Sequence, residues 1–249
     1  KSTFCHQLLS GKNYAHINFD DERFLKLQPE ELDILLEALL TEFPDSKYFL
    51  FDEIQNVNGW ELFANRLLRQ GFNVLITGSN SKMLSRELAS HLTGRHIQIE
   101  LFPFSFKEFI DLNGGFDFSN NSFSTKMTAE LKLFLDKYIN YGGFPEINRI
   151  ESKYVYLQEL FNKIIMRDIV ERYKIRDTTA LKELATVALN SFSSLISYNK
   201  LNNSLGFKSI NTVKDYLGYL EETYLLNTVK LFDYKLQESI KSPRKIYSI

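Results

Sequence analysis

Apolar and polar residues along this 249-residue chain follow two periods that take turns. Ala15-His16-Ile17-Asn18-Phe19 alternates in twos and predicts a short strand ended by Asp20-Asp21-Glu22. Leu32, Leu35, Leu36, Leu39, Leu40 and Phe43 recur at helical spacing between Pro29 and Pro44, which predicts a helix. Tyr48-Phe49-Leu50-Phe51 is a continuous apolar run, the mark of a strand buried on both faces, and it ends in Asp52-Glu53. A helix over 60–70 closed by Gly71, a strand over 73–77, a helix over 81–92 and a strand over 97–101 follow. Residues 3–10 read as a helix stopped by Gly11. Strict strand–helix alternation predicts the α/β class, with a mostly parallel sheet between helices.

The pattern changes after Phe109. Residues 113–125 are turn-rich, and the chain then reads as helical to about Leu189, broken at Tyr141-Gly142-Gly143-Phe144-Pro145. A helix over 181–192, a short one over 198–205, a turn at Gly206 and a helix over 210–225 resemble a helix-turn-helix. Strand-like pieces at 228–234 and 245–249 complete the hairpin of a winged helix. The expected division is a core over 1–112, a helical segment over 113–180 and a winged-helix-like domain over 181–249.

Composition narrows the picture only slightly. Apolar residues at 44% and charged residues at 24% are ordinary for a globular protein. A formal net charge of −1 gives no global attraction to nucleic acid or anionic lipid. Cys5 is the only cysteine, which excludes an intrachain disulfide and favours a reducing, cytoplasmic setting. The four histidines lie too far apart in sequence to show metal-ligand spacing. No apolar run reaches the roughly 18 residues of a membrane span, so no membrane partner is expected.

The candidate chemistry lies in two places. Lys1-Ser2-Thr3 reads as the end of a phosphate loop, G-x-x-x-x-G-K-[ST], without its glycines. Lys1 then belongs against the β- and γ-phosphates and Ser2 on magnesium, with Thr3 completing the motif. About fifty residues on, Asp52 is placed to hold the same ion and Glu53 to deprotonate the attacking water. Together they point to a hydrolase of nucleoside triphosphate, ATP being the expected substrate and Mg2+ its partner ion.

These motifs resemble the AAA-type P-loop ATPases of archaea and bacteria that carry an uncharacterised C-terminal domain. The resemblance covers nearly the whole chain. It is carried by Lys1-Ser2-Thr3, Phe51–Gln55, Gly59–Glu61, Ile76–Ser79, Leu92–Arg95, Phe102–Phe109 and Gly142–Glu146. It implies a nucleotide-binding core, a helical lid, a winged helix and often a further lobe related to restriction-type nucleases. It also implies that Thr77, Ser79 and Asn80 sense the γ-phosphate. Arg95 is the candidate finger into a neighbouring copy, with Arg86 as the alternative, and such a finger calls for a homo-oligomer. The phosphate-loop glycines and a central first strand of that family are missing here, so the chain reads as a fragment. The recognition helix carries Lys208, Ser209, Asn211, Thr212, Lys214, Asp215 and Tyr216 near its start, which suits double-stranded DNA, although Glu221 and Glu222 follow and the segment is only mildly basic. Winged helices also dock proteins. The alternative is a nucleotide-regulated DNA-binding switch with little turnover.

Overall fold

The computed structural model describes residues 1–24, 26–78, 96–116 and 123–248, in two compact units, Lys1–Leu101 and Phe102–Ile249. The first unit is built on a parallel sheet of β1 (Tyr14–Asn18), β2 (Tyr48–Asp52) and β3 (Asn73–Ile76), in that order. Helices α1 (Ser2–Leu8), α2 (Leu32–Glu42) and α3 (Trp60–Arg69) connect or precede the strands. β2 is central, and Phe49, Leu50 and Phe51 are wholly buried, which is why its sequence is apolar on both faces.

Strand alternation sorts the side chains. Ala15, Ile17, Phe19, Phe49 and Phe51 pack into one core with Leu32, Leu36 and Leu39 of α2 and Trp60, Phe63, Ala64 and Leu67 of α3. Ring contacts Phe19–Phe51 and Phe51–Phe63, each 5.8 Å between centroids, tie strands to helix. His16, Leu50 and Asp52 alternate with these residues and so take the other face, where α1 brings His6 against His16 at 4.7 Å between rings. An ion pair from Arg66 to Asp33 joins α3 to α2. Residues 97–101 depart from the expected strand. They carry no regular structure, and Ile97 and Ile99 are exposed. A strand exists only through a ladder of backbone bonds with a neighbour, and this segment is not part of either described sheet.

In the second unit α4 (Phe106–Leu112) starts with a capping box, Ser105 N–H donating to Glu108 and Glu108 N–H to Ser105 Oγ. α5 (Thr125–Tyr141) stops at Gly142, φ +75°. The next residue closes the junction: Phe104 N–H donates to Gly143 O at 2.8 Å, and Tyr138 OH to Phe104 O at 2.7 Å. The Phe102–Phe109 and Gly142–Glu146 motifs are thus one packed joint. α6 (Lys153–Lys163) runs on as a π-helical stretch, Ile164–Glu171, that buries Ile165 and Ile169.

Then come α7 (Thr178–Asn190), β4 (Leu195–Ile196), α8 (Tyr198–Leu205), α9 (Ile210–Glu222), β5 (Leu226–Val229), α10 (Leu236–Lys241) and β6 (Arg244–Ser248). The strands form an antiparallel sheet in the order β4-β6-β5. Gly206, φ +68°, makes the tight turn between α8 and α9. Leu181, Leu184, Val213, Leu217, Leu220, Leu226 and Ile246 form the shared core. Among the described residues no helix is long and apolar enough to cross a membrane.

Candidate active site

β2 and β3 run parallel, so their carboxyl ends arrive side by side. The ladder continues one step past the strands: Thr77 N–H donates to Phe51 O and Glu53 N–H to Thr77 O. This register sets Thr77 beside Asp52, and Thr77 Oγ1 donates to Asp52 Oδ1 at 2.6 Å. The other oxygen, Oδ2, lies 3.0 Å from His16 Nε2. Asp52 is only 4% exposed and Thr77 7%, and a carboxylate that deep is tolerated because both oxygens are bonded. Lys1 closes the group from the amino end of α1, its Nζ donating to Gly78 O at 2.9 Å.

Glu53 follows Asp52 with φ +53°, a left-handed conformation in a residue with a side chain. That costs ~1–2 kcal/mol, and strain of this kind gathers at functional sites. It turns the backbone out of the strand at the sheet's end. The carboxylate accepts from Gln55 Nε2 at 2.5 Å.

Asp52 and Thr77 thus meet, and Lys1 is bonded to the residue that follows Thr77. Ser2 opens α1 directly after Lys1 and is half-buried, while Thr3 is exposed. Ser79, Asn80 and Arg95, with Arg86, lie outside the described residues. The donor set of carboxylate, hydroxyl and ammonium suits a hard cation and phosphate oxygens. It sits where open α/β sheets take ligands, beyond the carboxyl ends of the strands.

Two residues escaped the reading from sequence. His6 and His16 come together with Asp52, their ligand atoms all within 4.8 Å of one another. Their spacing along the chain gives no sign of this proximity. His6 Nδ1 is 2.8 Å from Tyr14 OH. Nearby, burial and then the charge of Asp52 push the Cys5 thiol pKa up, so Cys5 is held as the neutral thiol.

Residues 1–110 match the family model of an AAA domain, and residues 133–249 that of a domain of unknown function, DUF8612. With the parallel sheet, this gives the first unit the P-loop NTPase fold class. An uncharacterized protein of Methanocaldococcus jannaschii is 37% identical over 247 residues, covering 94% of this chain and 55% of its own. One of Haemophilus influenzae is 29% identical over 252 residues, covering 98% of this chain and 60% of its own. The chain therefore spans little more than half the length of these curated relatives. Among solved structures, the Walker-type ATPase of Pyrococcus abyssi has a TM-score of 0.47 at 15% identity, over 99% of this chain and 73% of that one. The Orc1 protein of Aeropyrum pernix in complex with DNA has a TM-score of 0.37 at 11% identity, over 98% and 76%.

Proposed function

We propose that this protein binds ATP with magnesium at the Lys1–Asp52–Thr77 site, hydrolyses it, and couples that hydrolysis to movement of a winged-helix domain on double-stranded DNA. The observation that carries the reading is the buried Asp52, hydrogen-bonded to Thr77, with Lys1 of the Lys-Ser-Thr motif bonded to the next residue, Gly78. Asp52 and Ser2 are the residues to hold magnesium, which when bound neutralises charge on the phosphate oxygens. Lys1 offsets charge on the β- and γ-phosphates. Glu53, one residue beyond Asp52, takes a proton from the attacking water as it adds in line to the γ-phosphorus, while the bond to the β–γ bridging oxygen breaks and ADP leaves with its electron pair. Thr77 holds the Asp52 carboxylate oriented. Ser79 and Asn80 are proposed to sense the γ-phosphate, and Arg95 to reach the site of a neighbouring copy in a homo-oligomer.

Residues 113–180 are proposed as the lid and 181–249 as the winged helix. Three helices with a small strand between the first two, followed by an antiparallel sheet, support that assignment. Its outer surface suits DNA in two respects. Lys208, Asn211 and Lys214 are exposed at the start of α9, and Lys230, Phe232, Tyr234 and Lys235 are exposed after β5. The acidic pair that follows on α9 is engaged elsewhere: Glu221 accepts from Thr228, and Glu222 from Tyr173 OH.

Nucleotide titration of the protein and of Lys1→Ala tests the site, and affinity should fall markedly in the variant. Duplex-DNA binding by Lys208→Ala and Lys214→Ala at several salt concentrations tests the second unit. Each loss should weaken binding on all sequences and lower the salt slope by about 1. Unaltered nucleotide affinity in Lys1→Ala removes the phosphate-loop assignment. ATP binding without turnover moves the reading to the DNA-binding switch.

A further inference from the structure

We propose that His6, His16 and Asp52 form a binding site for a borderline divalent transition-metal ion, with Zn2+ as its representative. The three come from separate elements, α1, β1 and β2, and sheet register alone turns His16 and Asp52 to the same face. Their ligand atoms lie within 4.8 Å of one another. His16 Nε2 and Asp52 Oδ2 are already 3.0 Å apart, near the ~3.3 Å that separates two donors each ~2.0–2.1 Å from one tetrahedral ion. The ion replaces that hydrogen bond, and donors now up to 4.8 Å apart draw in to the ~3.3 Å of a tetrahedral site.

The outer partners match what a metal site needs. A ligating histidine is oriented through its second ring nitrogen, and a ligating carboxylate through its second oxygen. His6 has Nδ1 on the Tyr14 hydroxyl at 2.8 Å, which leaves Nε2 for the ion. Asp52 has Oδ1 on the Thr77 hydroxyl at 2.6 Å, which leaves Oδ2. The His16 side chain is 34% exposed, so one side of the site is open to solvent and to exchange of the ion. Two imidazoles and one carboxylate select zinc, cobalt or nickel rather than magnesium or calcium, which take oxygen ligands.

The site is distinct from the magnesium–nucleotide site but shares Asp52 with it. A transition metal bound there withdraws Asp52 from magnesium and so acts as an antagonist of ATP turnover. That consequence rests on the proposed ATPase reading, whereas the metal site itself rests only on the three side chains.

The test is Zn2+ titration of the whole chain, without nucleotide, against a chromophoric chelator. The expected result is one equivalent bound, with affinity falling at least tenfold in each of His6→Asn and His16→Asn. Tyr14→Phe removes only the outer partner and should weaken binding about tenfold. Cys5→Ser should leave affinity within about twofold, and the Co2+ form should lack a thiolate charge-transfer band. Fluorescence of Trp60, the only tryptophan, reports whether each variant is folded. The proposal is overturned if no equivalent binds, if both histidine variants bind as the parent does, or if Cys5→Ser abolishes binding. Turnover is not read here, so a protein that fails to hydrolyse ATP leaves this result standing, and the converse also holds.

Discussion

Replacing Thr77 by valine keeps the shape of the side chain and removes one hydroxyl. In the folded protein that hydroxyl donates at 2.6 Å to a carboxylate that is only 4% exposed. A hydrogen bond to a charged group contributes about 1.5–3 kcal/mol, against about 0.5–1.5 for a neutral pair. His16 still engages Oδ2, which keeps the loss within that range. The assay is urea unfolding followed by Trp60, which is 2% exposed in the first unit's core and reports that unit alone. With a urea dependence of ~1–3 kcal/mol per molar, the midpoint should fall by about 1 M. A double-mutant cycle isolates the pair: in an Asp52→Ala background the same Thr77→Val change should be nearly neutral. A loss below ~0.5 kcal/mol, or an equal loss in both backgrounds, refutes the claim that this bond holds the carboxylate.

Three further outcomes follow from the geometry. A Cβ at Gly143 would lie 2.0 Å from Phe104 O and 3.0 Å from that residue's backbone C and N. Gly143→Ala must therefore shift main chain, and a loss of about 3 kcal/mol should appear in thermal unfolding followed by far-ultraviolet circular dichroism; an unchanged midpoint contradicts the joint. Glu53→Gly relieves ~1–2 kcal/mol of left-handed strain and returns ~0.5–1 in backbone entropy. The Trp60 urea midpoint should hold or rise slightly while turnover disappears, and a fall of more than ~1 kcal/mol would show that the side chain holds the turn. Hydrogen bonds from Arg23 hold the Asp21 carboxyl down at about 2. A depressed carboxyl stabilises the fold above its ordinary ~3.9 and loses that contribution as pH falls through about 2. An NMR titration should find Asp21 near 2 and raised in Arg23→Ala, which keeps only the backbone N–H donor of residue 23; an unmoved midpoint refutes the pairing.

What the sequence reveals of this protein is what local pattern controls. The unbroken apolar run of β2 announces a central strand, and Leu32, Leu36 and Leu39 announce the buried stripe of α2, because burial imposes those periods directly. Asp52 and Glu53 are legible because they end that strand. Contacts made by register and tertiary packing leave no such trace. His6, His16 and Asp52 meet only because β1 pairs with β2 and α1 lies on the face that His16 takes. The joint of Phe104 with Gly143 is hidden for the same reason, although both motifs stand out in the sequence. β4, two residues long, is below what any periodicity can show. The π-helical Ile164–Glu171 stretch keeps an apolar spacing that reads as ordinary helix. The strand expected over 97–101 has the right pattern but joins neither described sheet, and pattern alone does not supply a ladder.

Steady-state ATP hydrolysis with magnesium, by the protein and by Glu53→Gln, with and without duplex DNA, tests the central claim most directly. The account predicts turnover that rises with DNA and falls ~10²–10⁴-fold in the variant, while nucleotide affinity is retained. Turnover unchanged by Glu53→Gln would contradict it.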